Sequence, residues 1–147
     1  MNHPWTAHYP AGIPAEINPD TFASIPALFD EVAKTHGNRT AFVCLRKGIS
    51  YKEVNALSTR FAGYLQSLGL EPGDRVAVMM PNLTQYMIAL LGILRAGLIA
   101  VNVNPLYTAH ELAHQLKDSG AKAVVIIENF AKTLETALPE TKVKHII

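Results

Sequence analysis

The sequence predicts an α/β fold, a layered and mostly parallel sheet flanked by helices and preceded by an extended proline-rich arm. Three observations carry this. The stretch Arg75–Asn104 reads as strand, helix, strand. The runs Val76–Met80, Leu98–Val103 and Ala123–Ile127 are continuously apolar, as strands covered on both faces are. Segments of helical period alternate with these runs across short Gly- and Pro-containing turns, the pattern of a sheet with helices packed on it.

Residues 1–23 contain Pro4, Pro10, Pro14 and Pro19, with Trp5, Tyr9, Ile13, Ile17 and Phe22 between them. This density of proline excludes a regular helix and favours an extended arm. The spaced apolar side chains suit packing on the arm's own domain or on a second subunit. Residues 24–147 form the α/β portion. Ser24 is placed to cap a helix that admits Pro26 in its first turn, repeats Ile25, Leu28, Phe29, Val32 and Ala33, and ends at Gly37-Asn38. Thr40–Leu45 reads as a strand, Arg46-Lys47-Gly48 as a turn, and Ile49–Tyr51 as a returning hairpin strand. A helix over Lys52–Leu68 places Val54, Leu57, Phe61, Leu65 and Leu68 on its apolar stripe. Lys52, Glu53, Ser58, Arg60 and Gln66 belong to its polar positions. Gly69 closes it, and Glu71-Pro72-Gly73-Asp74 is a turn.

The central unit follows. Pro81 ends its first strand, Asn82 is the expected N-cap of a helix to Arg95, and Gly97 supplies the stop. Thr108 and Glu111 have capping-box spacing before a helix that runs to Ser119 and stops at Gly120. A last helix over Asn129–Leu138 breaks at Pro139, and Val143–Ile147 begins a further strand. With that strand at the very end, the chain is expected to be a piece of a longer protein.

With 13 basic and 12 acidic residues the formal net charge is +1, so charge balance offers no footprint for nucleic acid. Cys44 is the only cysteine, which excludes an internal disulfide and suits a reducing, cytoplasmic compartment. MNHPWTAHYPAG has neither the basic nor the apolar region of a signal peptide. Tyr86–Val103 is mostly apolar, but Arg95 within it and the change from helical to strand period at Gly97 argue against a membrane span.

The string His110-Glu111-Leu112-Ala113-His114 matches the zinc metallopeptidase pattern, two histidines one turn apart with a glutamate base. Helix geometry argues against it. Ala109, Leu112, Ala113 and Leu116 centre the apolar stripe, which leaves His110 and His114 beside Lys117 toward solvent. Such an exposed pair suits adventitious metal binding. The corner after Met80, Pro81-Asn82-Leu83-Thr84, could present a helix N-terminus to an anion, yet it has no glycine, and no phosphate-loop motif occurs in the chain. No catalytic, cofactor-binding or metal residue is assigned from these patterns.

The run GDRVAVMMPNLTQYMIALLGILRAGLIAVNVNPLYTAHELAHQLKDSGAKAVV closely resembles bacterial long-chain fatty acid–CoA ligases, the AMP-forming acyl-CoA synthetases. The arm YPAGIPAEINPDTF is similar to that family's N-terminus, so the resemblance covers essentially the whole chain. ISYKEV and LRAGLIAVNVNP look like the first and second core motifs of the adenylate-forming superfamily, both scaffold motifs there. Where this chain has His110 the family often has arginine, which favours reading HELAH as accidental. The resemblance implies a two-step reaction. A fatty acid carboxylate attacks the α-phosphate of Mg-ATP to give an acyl-adenylate and pyrophosphate, and the thiol of CoA then displaces AMP. The family's phosphate loop, adenine contacts, ribose-binding aspartate and catalytic lysine all lie downstream of residue 147. The 147 residues alone are therefore expected to be inactive, with ATP, Mg2+, CoA and long-chain fatty acid as ligands of the parent. A homodimer and peripheral contact with the inner face of the membrane complete the expectation. The competing possibilities are a non-catalytic scaffold or self-association module of an enzyme adenylating another carboxylic acid and, more remotely, a zinc peptidase.

Overall fold

The computed structural model describes residues 3–147. Two sheets are present among them. β1 (Thr40–Cys44) and β2 (Lys47–Ser50) form an antiparallel hairpin. β3 (Arg75–Met79), β4 (Ile99–Asn102), β5 (Ala123–Ile126) and β6 (His145–Ile146) form a wholly parallel sheet in the order β4-β3-β5-β6. The helices are α1 (Ile25–His36), α2 (Tyr51–Ser67), α3 (Thr84–Arg95), α4 (Ala109–Ser119) and α5 (Ala131–Ala137).

The two faces of β3 divide the core. Val76, Val78 and Met80 meet Leu65 of α2 and Ala89 and Ile93 of α3 on one side. Ala77 and Met79 meet Leu112, Ala113 and Leu116 of α4 and Leu134 of α5 on the other. All five of these β3-strand and corner residues are buried, which explains the unbroken apolar run. No described helix is long and apolar enough to cross a membrane; the Tyr86–Val103 stretch is divided between α3 and β4 by the turn at Gly97 (φ +76°).

Several local expectations are corrected. α3 begins at Thr84 with Leu83 at the cap position and no side-chain cap, so Asn82 is not the N-cap. Ser50, not the hairpin's continuation into Tyr51, sets the start of α2. Its hydroxyl accepts from Glu53 N, and the Glu53 carboxylate accepts from Ser50 N at 2.9 Å, a capping box. The hairpin turns at Leu45-Arg46, both at positive φ (49° and 64°), rather than at Arg46-Lys47-Gly48. Gly48 sits instead in β2, where a Cβ would meet Thr40 Cγ2 at 3.1 Å. Gly37 ends α1 in the right-handed region (φ −48°), without the left-handed stop. Ser58, assigned to a polar face, is fully buried. α5 is shorter than expected, because 3-10 turns flank it at Glu128–Phe130 and Leu138–Glu140, and β6 is confined to two residues.

The N-terminal arm is interrupted by 3-10 turns at Pro4–His8 and Pro19–Thr21 and contributes nothing to the core. Trp5 and Ile13 are more than half exposed and Ile17 is 86% exposed. Phe22 lines a shallow groove with Leu28 and Val32 of α1.

Candidate functional site

In open parallel sheets, ligands settle outside the carboxyl ends of the strands, where successive connections leave toward opposite faces. Here β3 feeds α3 on one face, whereas β4 and β5 feed α4 and α5 on the other. The switch therefore lies at the carboxyl end of β3, between Met80–Leu83 and Val103–Tyr107.

Asn102, the last residue of β4, joins the two layers. Its Oδ1 accepts a hydrogen bond from Tyr86 OH of α3 at 2.9 Å, and its carbonyl accepts one from Gln115 Nε2 of α4 at 2.9 Å. Asn104 Oδ1 then accepts from Leu106 N at 3.0 Å, and Asn104 O from Tyr107 N at 3.1 Å, which turns the chain into the Thr108 cap of α4. These bonds tie the crevice together and engage the side-chain oxygens of Asn102 and Asn104.

Beside it, the corner anticipated for an anion forms a groove of about 320 Å3 lined by Phe42, Val43, Cys44, Asn82, Leu83, Thr84, Tyr86 and Met87. Thr84 Oγ1 donates to Gln85 Oε1 at 3.0 Å. The lining contains no lysine, arginine, aspartate, glutamate or glycine, so nothing in it neutralises a polyphosphate, holds a divalent cation or lets backbone approach phosphate oxygens. Mg-bound nucleotide does not fit these residues.

The HELAH string falls on α4 as its periodicity requires. Leu112, Ala113 and Leu116 are buried, and His110 and His114 are exposed, lining a surface groove with Tyr107, Glu111, Gln115 and Asp118. Glu111 is already engaged: its carboxylate accepts from Thr108 N and Thr108 Oγ1, each at 2.8 Å. The hydrogen bond from Thr108 N, then that from its hydroxyl, hold the Glu111 carboxyl below its usual range, the opposite of what a general base needs. Among the described residues no group of three or more His, Cys, Asp or Glu side chains could hold a metal ion.

The polar cluster that composition and spacing did not reveal is structural. Arg95, the lone charge of an apolar stretch, is largely buried and reaches Asp30 of α1 with Asn55 and Ser58 of α2. The signal was available, since a buried arginine must find partners. Which residues would supply them was not.

Comparison with known proteins gives the following. A family model described as AMP-binding enzyme matches residues 29–147. The long-chain-fatty-acid–CoA ligase of Salmonella typhimurium is 53% identical over 148 residues, covering 100% of this chain and 26% of its own length. That of Haemophilus influenzae is 49% identical with the same coverage. Among solved structures, a Mycobacterium tuberculosis fatty acyl CoA synthetase is 30% identical, with a TM-score of 0.78 over 84% of this chain and 26% of that one. A long-chain-fatty-acid-CoA ligase from Archaeoglobus fulgidus, 24% identical, shares the fold at a TM-score of 0.84, covering 95% of this chain and 29% of that one. The chain thus spans 26% of the length of the curated relatives it matches most fully.

Proposed function

The chain belongs to the AMP-binding enzyme family, and from that premise we propose that it is the N-terminal portion of a long-chain fatty acid–CoA ligase. One observation carries the reading: the match to such a ligase, 53% identical overall, spans the whole chain. The reaction joins a fatty acid to CoA at the expense of ATP through an acyl-adenylate, with Mg2+ accompanying the nucleotide. Phosphate charge must be neutralised and the carboxylate oriented for attack. The residues of this chain contribute neither, and their part is to support the groups that do. Those groups belong to the three-quarters of the relatives' length that this chain does not span, and no catalytic, cofactor-binding or metal residue is assigned within it.

Residues 1–23 are read as an arm and 24–147 as the N-terminal α/β portion of the adenylate-forming domain. The arm's exposed Trp5, Ile13 and Ile17 support a homodimer in which it lies on a partner subunit. An unchanged mass by light scattering on deleting residues 1–23 would remove that role. A cytoplasmic enzyme with peripheral contact at the inner face of the membrane fits an insoluble substrate.

The test uses the longer protein. AMP formation from ATP that requires both a long-chain fatty acid and CoA is the expected result. Turnover with short or aromatic acids only would assign it to another branch of the family.

A further inference from the structure

The β1–β2 hairpin carries a choice of residues that its own backbone disfavours. A two-residue hairpin turn with both central residues at positive φ is the type that Asn-Gly satisfies without strain. This chain puts Leu45 and Arg46 there, at φ 49° and 64°. Leu45 is 89% exposed and Val43, at the open edge of the groove it shares with Asn82 and Met87, 69% exposed, so neither is repaid by burial in the fold. Strain kept at a turn is a reason to ask what its side chains do outside the molecule.

The surroundings answer in charge. Residues 32–52 contain Lys34, Arg39, Arg46, Lys47 and Lys52 and no aspartate or glutamate, although the whole chain is balanced within one charge. All five cations are exposed, and none is in an ion pair among the described residues. Lys34, Arg39 and Lys52 line one surface concavity with His36 at the base of the hairpin. The nearest carboxylates along the chain are largely engaged: Asp30 accepts from Arg95 and Glu53 from Ser50, leaving Glu31.

We propose that this hairpin, with Val43 and Leu45 directed outward between the cations Arg46 and Lys47 at its tip and Lys34, Arg39 and Lys52 at its base, is the surface by which the protein docks on an anionic lipid bilayer. Large apolar side chains within a cationic rim match an acyl boundary beneath anionic headgroups. A soluble polyanion would satisfy the cations and leave Leu45 and Val43 in water, which is why the bilayer is the better occupant. The proposal deepens the peripheral-contact reading above by naming its surface.

Sedimentation of the longer protein with phosphatidylcholine vesicles, with and without roughly 30% phosphatidylserine, tests it. Binding is expected only with the anionic lipid and should fall steeply as salt is raised. Arg46→Glu with Lys47→Glu is expected to weaken binding at least about tenfold. Leu45→Asn with Arg46→Gly is expected to weaken it several-fold while relieving the turn, so that misfolding cannot account for the loss. Turnover of a long-chain fatty acid presented in detergent micelles, without vesicles, serves as the control and should be unchanged in both. Vesicle binding that neither variant alters would overturn the hairpin as the surface and leave peripheral contact standing. Equal binding to both vesicles would overturn the cationic hairpin as the surface and leave peripheral contact standing, whereas failure to bind either would overturn both. Capture by heparin without vesicle binding would assign the cations to a soluble polyanion and also overturn the proposal.

Discussion

Arg95 on α3 lies with Nη2 2.8 Å from Asp30 Oδ1 on α1, and its Nε donates to the fully buried hydroxyl of Ser58 at 3.1 Å. One guanidinium thus fastens three helices, because Asn55 of α2 also accepts from it. The two ends of the ion pair are unequal: the Arg95 side chain is 13% exposed and that of Asp30 42%.

That inequality sets the cost of breaking it. Asp30→Asn is expected to cost only about 0.5–1 kcal/mol, since solvent screens the carboxylate. Arg95→Ala is expected to cost about 2–3 kcal/mol, because it opens a cavity and strips the donor from buried Ser58. Urea unfolding of both variants checks the ranking. The hydrogen bond from Arg95 is the main cause holding the Asp30 carboxyl below its usual range, against an opposing effect of burial. A lowered folded pKa means that the stabilisation is fully present above the unfolded value of about 3.9 and is lost as pH falls through the folded value. The difference between the native chain and Asp30→Asn should therefore be flat above about pH 5 and shrink toward pH 3.

Gly92→Ala should destabilise, against helix propensity. In an exposed helix the change gains up to about 1 kcal/mol. At Gly92 a Cβ would lie 2.7 Å from Phe61 Cδ1 and 3.0 Å from Ser58 O, so α2 and α3 must separate. Overpacking of this kind costs about 1–3 kcal/mol. A net loss is expected in thermal melts, and a gain would show that α2 yields freely.

Leu45→Asn with Arg46→Gly is expected to stabilise the fold by about 1–2 kcal/mol by removing the left-handed penalty at two residues. Thermal melting reads it directly. No change would mean that the turn is unstrained.

Gly97→Ala should cost on the order of 1–2 kcal/mol for the same conformational reason, since Gly97 is at φ +76°. The nearest atom to its Cβ would be Pro72 Cβ at 3.5 Å, an ordinary contact, so sterics add little. The turn is also fixed by Gly73 N donating to Gly97 O at 2.9 Å.

The parallel sheet was legible because burial on both faces leaves a mark in one dimension: Val76–Met80 could be little else. Thr108-x-x-Glu111 and Gly120 were legible because caps are local chemistry. Ser58 and Leu45 were not. Ser58 is buried and accepts from an arginine 37 residues away, and no periodicity on α2 records that. Leu45 and Arg46 turn the chain at positive φ while Gly48 lies in β2, with Thr40 Cγ2 3.1 Å from where its Cβ would be, so the glycine-seeking rule for turns points to the wrong residues. At the carboxyl end of β3, Asn82, Leu83 and Thr84 of the corner named in advance do line a groove, and the lack of glycine there was readable. The Asn102 bonds to Tyr86 and Gln115 depend on helices from opposite faces meeting, which only the folded chain specifies.

The central claim is that this chain is the support of an adenylating site and does not itself hold the nucleotide. Calorimetric titration of Mg-ATP into the 147-residue chain, first shown to melt cooperatively, tests it most directly. No saturable heat is expected below millimolar nucleotide, the range in which an affinity is worth only about 4 kcal/mol. Saturable binding at micromolar ATP would contradict it.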